Sequence, residues 1–388
     1  MHEFAHLRGC EAAFPLEEFA VRQAAARAAI AAAGHEALVV TGPETIYWLT
    51  GRQTAGYFAF QALLVPAEGE LSLLVRQLEL PGATANTWLD DIQAYPDGTD
   101  PADALAVLVR RRGFVRPAME RDGWFVSAAL AARIGTALGT DPLPDGSGLL
   151  GPLRIVKSAA ELQAIREAAR YAQAGLAAGV AACGAGADEN AVAAAMLAAA
   201  TTAGSEAMAM EPLVSSGPRS GLPHMTWRRR RLELGDAVFL ELAGSHARYH
   251  AALMRSVWIG APPVEAQRMM DCALRALDAA ISAIRPGRPC SAPHEAAQAV
   301  IDAAGYGPAF RKRIGYSMGI AFAPDWGEGS LLSLFTEIDR PIEPGMVFHL
   351  PATLRCYGFW TVGASETVIV TPHGAEPLSD LPRALTLR

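Results

Sequence analysis

The chain has 388 residues, 51% of them hydrophobic and 19% charged, with a formal net charge of −7. That length suits one large core or two ordinary domains, with two favoured, and the composition is that of a globular protein. The acidic balance speaks against nucleic-acid binding, and the five scattered cysteines, without a CxxC pair, speak against a disulfide framework or a structural zinc.

The opening MHEFAHLRGCEAAF lacks the basic-then-apolar order of a signal peptide, and no apolar run approaches the length of a bilayer span. Both point to a cytoplasmic protein. Residues 16–34 are Ala-rich and predict a helix stopped at Gly34. Short apolar or alternating runs at 36–41, 60–66, 71–76 and 91–95 predict strands, and helices follow near 101–112 and 125–138. Together these make an α/β first domain over residues 1–150. The stretch GTDPLPDGSGLLGP at 139–152, dense in Gly, Pro and Asp, reads as the linker to a second domain over 151–388.

The second domain opens on a long amphipathic helix, 158–182, where Ser158 followed by Glu161 forms the pattern of a capping box. A second helix fills roughly 187–203, and strands cover 210–260. Two more helices, near 262–285 and 292–304, precede a second group of strands. Helix pairs followed by strands, twice over, suggest an internal duplication.

Four regions concentrate the chemistry. SSGPRSGLPHMTW (215–227) places His224 after a Gly/Pro-rich loop. FLELAGSHARYH (239–250) carries Glu241, His246 and His250. GYSMGIAFAPDWGE (315–328) carries Tyr316, Asp325, Trp326 and Glu328. The final strands, PGMVFHLPATL (344–354) and GASETVIVT (363–371), carry His349 and Glu366. Each has an ordinary structural explanation as well. A lone histidine is commonly a hydrogen-bonded structural residue, and His-x-x-x-His is a metal signal mainly on helices. The run Arg228 to Arg231 suits a solvated turn or subunit contact. Glu366 sits among apolar strand residues, which calls either for a polar site or for exposure.

Taken together, LRIVKSAAELQAIREAA (153–169), SGPRSGLPH (216–224), LELGDAVFLELAG (232–244), RYHAALMRS (248–256) and IEPGMVFHL (342–350) resemble the pita-bread fold of methionine aminopeptidases, prolidases and creatinase. The resemblance implies a two-domain layout: a creatinase/prolidase-type α/β N-terminal domain and a pita-bread α+β catalytic domain. Metallopeptidases of that fold hold two metal ions with two Asp, one His and two Glu. The corresponding positions here are Glu241, Ala252, Tyr316, Pro351 and Glu366. Ala252 has no donor atom, Pro351 offers at best a carbonyl, and a neutral tyrosine is a poor ligand. Two dications need several carboxylates, so the resemblance implies no metal and no cofactor.

Metal-free enzymes of this fold act on a guanidinium or a cyclic amidine. The motifs here are most similar to the ectoine hydrolase group, with departures at PATLRCYG (351–358) and at Gly363. The implied activity is hydrolysis of a cyclic amidine C–N bond. His224, Glu241 and Glu366 are then the expected catalytic residues. Tyr57, Phe58, Arg219, His250, Tyr316, Trp326 and His349 are expected around a small zwitterionic substrate. Arg219, or an arginine of a neighbouring subunit, is the expected partner of the substrate carboxylate. Creatinase-like dimers further imply a homodimer in which the N-terminal domain lies near the partner's site. The alternatives are another amidine, guanidine or lactam hydrolase or cyclase, a binding module without catalysis, and a metallopeptidase with a rearranged site.

Overall fold

A computed structural model describes residues 4–140 and 142–388. The chain divides into two compact units, Met1–Arg154 and Ile155–Arg388.

The first unit runs α1 (Leu16–Ala32), β1 (Ala37–Val40), α2 (Pro43–Thr50), β2 (Ala62–Pro66), β3 (Ser72–Arg76), α3 (Leu80–Asn86), β4 (Asp91–Tyr95), α4 (Pro101–Arg111), β5 (Ala118–Met119) and α5 (Ala128–Leu138). Its strands form one sheet in the order β4-β3-β2-β1-β5. The β1–β2 and β2–β3 pairs are antiparallel, and β3–β4 and β1–β5 are parallel. The sequence pattern did not reveal α2. Seven of its eight residues are buried, so the helical period has no polar face to mark it. Pro43 in its first turn and Gly51 at φ 80°, a left-handed C-terminal stop, are the local signals that define it.

The second unit begins with α6 (Ala159–Ala182) and α7 (Glu189–Ala203), then β6 (Leu213–Ser216), β7 (Ala237–His246) and β8 (Tyr249–Trp258). It continues through α8 (Val264–Ala283), α9 (Ala292–Ala303), β9 (Gly315–Ser317), β10 (Ser333–Leu334), β11 (Val347–Cys356), β12 (Trp360–Thr371), β13 (Gly374–Pro377) and β14 (Thr386–Leu387). The main sheet has the order β10-β9-β11-β12-β8-β7-β6. Two helices and their strands thus occur twice, and the halves meet where β12 pairs with β8 through Ala364 and Arg255. This is the arrangement expected of a duplicated unit.

The capping box at the start of α6 is formed: Ser158 Oγ accepts from Glu161 N, and Glu161 Oε2 accepts from Ser158 N at 2.7 Å. Glu161 also accepts from Tyr249 OH at 2.6 Å, which anchors the helix start to β8. At Gly244 any Cβ would run into the Ala168 carbonyl, so the glycine lets β7 lie directly on α6. Among the described residues no helix is long and apolar enough to cross a membrane.

Candidate active site

Alternation along the strands sorts the second unit's side chains onto two faces. Val238, Leu240 and Leu242 of β7 pack with residues of α6 and α7. On the other half, Phe348, Leu350, Ala352 and Leu354 of β11 and Val362, Ala364, Val368 and Val370 of β12 pack with α8 and α9. The residues between them point to the opposite face, away from the helices. That face carries Glu241 on β7, His349, Pro351 and Arg355 on β11, and Ser365 on β12. Tyr316 of β9 pairs with His349 in register and joins them.

A continuous polar chain crosses this face. Trp326 Nε1 donates to Tyr316 OH at 3.0 Å. Tyr316 OH lies 2.9 Å from His349 Nδ1, and His349 Nε2 lies 2.7 Å from Ser365 Oγ. Burial lowers the His349 pKa to about 3, with Lys312 adding to the effect, so the ring is neutral near pH 7. A neutral imidazole donates through one nitrogen and accepts through the other. Of the two hydroxyls it joins, therefore, one spends its proton on the ring and the other keeps its proton to offer elsewhere. Burial, with Glu241 nearby, raises the Tyr316 pKa well above its usual value, which keeps the phenol protonated.

Glu241 is buried, and desolvation raises its pKa although Lys312 and Arg355 pull it down. Lys312, on the segment before β9, is lowered in turn by desolvation and by Arg355, with Glu241 opposing. Its amine donates to the Pro351 carbonyl. Burial likewise lowers Arg355, against the pull of Glu241 and Tyr357. Glu241 forms no direct ion pair with either cation among the described residues, but all three lie close enough to act on one another.

Several expected site residues lie elsewhere. Glu366 is a correction. It pairs in register with Leu350, on the helix-covered face, where Arg255 Nη2 donates to it at 2.8 Å and Arg383 Nε at 3.1 Å. Ser365, its neighbour, holds the position on the Tyr316 face. Arg219 is also corrected as a carboxylate receptor. Its guanidinium donates to both oxygens of the fully buried Glu189, at 3.0 and 2.7 Å, and to the Thr226 carbonyl. Glu189 additionally accepts from Ser216 N and Oγ and from Arg228 N, so Arg219 fastens the loop after β6 to the first turn of α7.

His250 is similarly committed. Its Nε2 accepts from Ala209 N at 3.1 Å while Nδ1 bonds the Arg248 carbonyl at 2.9 Å. Burial lowers its pKa to about 4. It holds the tight β7–β8 turn, in which Ala247 and Arg248 both have positive φ, and has no ring nitrogen left for a substrate. His246 bonds Tyr171 OH through Nδ1 at 3.2 Å. Glu328 pairs with Lys157 at 2.9 Å in a buried contact. His224 lies exposed on its loop at φ 56° and has no hydrogen-bond partner among the described residues. In the first unit, Tyr57 packs edge-on against Phe125, and Phe58 is 81% exposed.

Lys312, Arg355 and Ser365 were not anticipated from the sequence. Lys312 lies in RKRIGYS, a basic run that reads as surface, and Arg355 in the segment that departs from the ectoine hydrolase group. The available signal was parity: Arg355 and Ser365 sit an even number of residues from His349, Glu366 an odd number from Ser365.

The donor set does not suit a pair of divalent cations. With Glu366 on the other face, Glu241 is the one carboxylate left from the ligand positions, and Ala252 and Pro351 lie among those positions without side-chain donors. Among the described residues no three His, Cys, Asp or Glu side chains come together as metal ligands. No catalytic step is therefore derived through a metal.

Comparison with known proteins gives a consistent lineage. The chain is 28% identical over 395 aligned residues to ectoine hydrolase of Halomonas elongata, covering 97% of this chain and 98% of that protein. The crystal structure of dipeptidase PepE from Mycobacterium ulcerans superposes with a TM-score of 0.82 at 28% identity, covering 96% of this chain and 99% of the other. The prolidase from Pyrococcus horikoshii OT3, 20% identical, shares the fold with a TM-score of 0.84, covering 94% and 99%. Residues 22–156 match the creatinase/prolidase N-terminal domain and residues 163–372 the M24 metallopeptidase family. The protein belongs to the M24 family, with a creatinase-type domain preceding its pita-bread domain.

Proposed function

We propose that this protein is a metal-independent hydrolase that opens a C–N bond of a small cyclic amidine, with ectoine as substrate and N-acetyl-2,4-diaminobutyrate as product. The observation that carries the reading is the placement of the Glu241 carboxylate and the protonated Tyr316 phenol on one face, with no donor set suited to two metals among the described residues. The relationship to ectoine hydrolase of Halomonas elongata supports it.

Without a metal, water keeps its ordinary pKa rather than one near 7, a loss of about 12 kcal/mol of nucleophile activation. An amidinium offsets much of that deficit because its central carbon is already electron-poor. Glu241 faces the cation and takes a proton from water as the water oxygen bonds to the amidinium carbon. The raised pKa suits it to pass that proton on to the departing ring nitrogen. The C–N bond then breaks, its electron pair stays on nitrogen, and the new hydroxyl becomes the amide carbonyl. Glu241, its first proton given up, takes the hydroxyl proton and passes it to the freed amine, which stays in the product as its ammonium group. Amidinium and water thus yield amide and ammonium with charge conserved.

Tyr316 donates a hydrogen bond to the oxygen as it gains charge, and His349 and Trp326 hold the phenol in place. Tyr57 and Phe58 belong to this reading through a homodimer in which they approach the partner's substrate. A fully active monomer in sedimentation velocity would remove that part.

The direct test is proton NMR of purified protein with ectoine. Conversion of the ring signals to those of N-acetyl-2,4-diaminobutyrate is expected, and an unchanged spectrum over many hours at high enzyme concentration would reject ectoine as the substrate.

A further inference from the structure

Three cations gather at the Glu241 face without a matching set of anions. Lys312 donates to a backbone carbonyl and has no carboxylate partner among the described residues. Arg355 Nε is buried with no hydrogen-bond partner, and its guanidinium makes no ion pair among the described residues. Arg313 bonds the Gly329 carbonyl and Ser333 Oγ, and its guanidinium sits 4.8 Å from the centre of the Tyr316 ring. Against them stand Glu241 and the exposed Asp325, whose Oδ1 is taken by Gly327 N. A half-buried guanidinium left without a partner carries a desolvation cost that a bound anion would offset. A planar arginine fork and a lysine amine that both act on one buried carboxylate have the chemistry to hold a substrate carboxylate between them.

We infer that Lys312 and Arg355 form a carboxylate-binding subsite, so that this face selects substrates bearing an acid group and turns away neutral or purely cationic amidines. The inference rests on the proposed site but not on its chemistry. It replaces Arg219 in that role, because Arg219 is held by Glu189. Position 355 lies on the same strand face as His349, further along β11, and its guanidinium acts on the Glu241 carboxylate. A plain amidinium would meet Glu241 but also the repulsion of both cations. A zwitterion meets opposite charge at each end.

The test reads binding rather than turnover, so it stands apart from the fate of the hydrolase proposal. Benzoate and its uncharged counterpart benzamide are titrated into the full-length protein by isothermal calorimetry at pH 6.0, below the value of about 7 to which burial lowers Lys312. The wild type is expected to prefer benzoate by about tenfold or more, the range of a charge-assisted contact. Arg355→Met and Lys312→Met should each cut that preference by about tenfold, and Lys312→Arg, which keeps the charge, should retain most of it. Equal affinity for the two compounds, no binding of benzoate, or a preference unmoved in both methionine variants would overturn the inference. Inorganic phosphate binding more tightly than benzoate would overturn the assignment to a carboxylate. Loss of ectoine hydrolysis with the benzoate preference intact would sink the proposed reaction and leave the subsite standing.

Discussion

Arg255 on β8 and Glu366 on β12 are joined by a 2.8 Å ion pair on the helix-covered side of the sheet, where the two halves of the second unit meet. Arg255 also donates to the backbone carbonyls of Met254, Ser365, Leu381 and Pro382, so one guanidinium ties both central strands to the C-terminal segment. Glu366 holds that cation in place through Oε1, which also accepts from Arg383.

Glu366→Gln should therefore act on stability. Removing one partner of a buried pair leaves the other charge uncompensated, at a cost of about 3 kcal/mol. Urea unfolding should show a lower midpoint, while the folded fraction keeps its turnover number. A variant as stable as the wild type but inactive would restore Glu366 to the chemistry.

Glu241→Gln should behave in the opposite way. Its carboxylate is held at a raised pKa by burial, so the folded state binds the extra proton and the ionised form weakens the fold as pH rises. The amide removes that penalty, and thermal unfolding at pH 8 should be no lower than in the wild type. Ring opening should fall by about a thousandfold or more, as expected when a base and its hydrogen bond are both lost. Full-speed turnover of the variant in the NMR assay would exclude Glu241 as the working carboxylate.

Tyr316→Phe should lower kcat by about a hundredfold with a smaller change in KM, because the phenol acts on charge that develops during the reaction. Ser365→Ala, at the far end of the His349 chain, should cost much less. An equal loss in both variants would mean that the chain works as one proton path rather than as a support for the phenol.

The buried histidines set an acid limit on stability. His250 is lowered to about 4 and His349 to about 3, both from an unfolded value near 6.5. Between these values the unfolded chain binds protons that the folded chain refuses, so stability is intact above pH 6.5 and falls as pH drops toward 4. From pH 7 to pH 5 each contributes a loss of about 2 kcal/mol. Urea midpoints measured across that window should drop, and less steeply in His250→Gln. An identical slope in the variant would show that His250 is not the group responsible.

Metal independence is checked separately. Protein dialysed against EDTA should hydrolyse ectoine as fast as untreated protein, and elemental analysis should find no stoichiometric Mn, Fe, Co or Zn. Activity lost on chelation and regained with one of these ions would reinstate a metallopeptidase-like site.

Much of the architecture was legible because it rests on local rules. Ser158 and Glu161 announce the start of α6, and the repeated helix-pair-then-strand order foreshadows a sheet assembled from two halves. The ligand positions Ala252, Tyr316 and Pro351 are visible in the residues themselves, since no fold can give alanine a donor atom.

What the chain alone left open was which way each candidate faces and what already holds it. Glu366 and Ser365 are neighbours, yet strand alternation sends one to Arg255 and the other to His349. Arg219 and His250 are chemically suitable for a substrate, but partners distant in sequence have taken their donors and acceptors. Residue identity fixed the fold and the chemistry a metal could not have at these positions. Only the packing of β7, β9 and β11 and the segment before β9 brought Glu241, Tyr316, Lys312 and Arg355 within electrostatic reach of one another, because burial and pairing are properties of neighbours that the order of residues does not name.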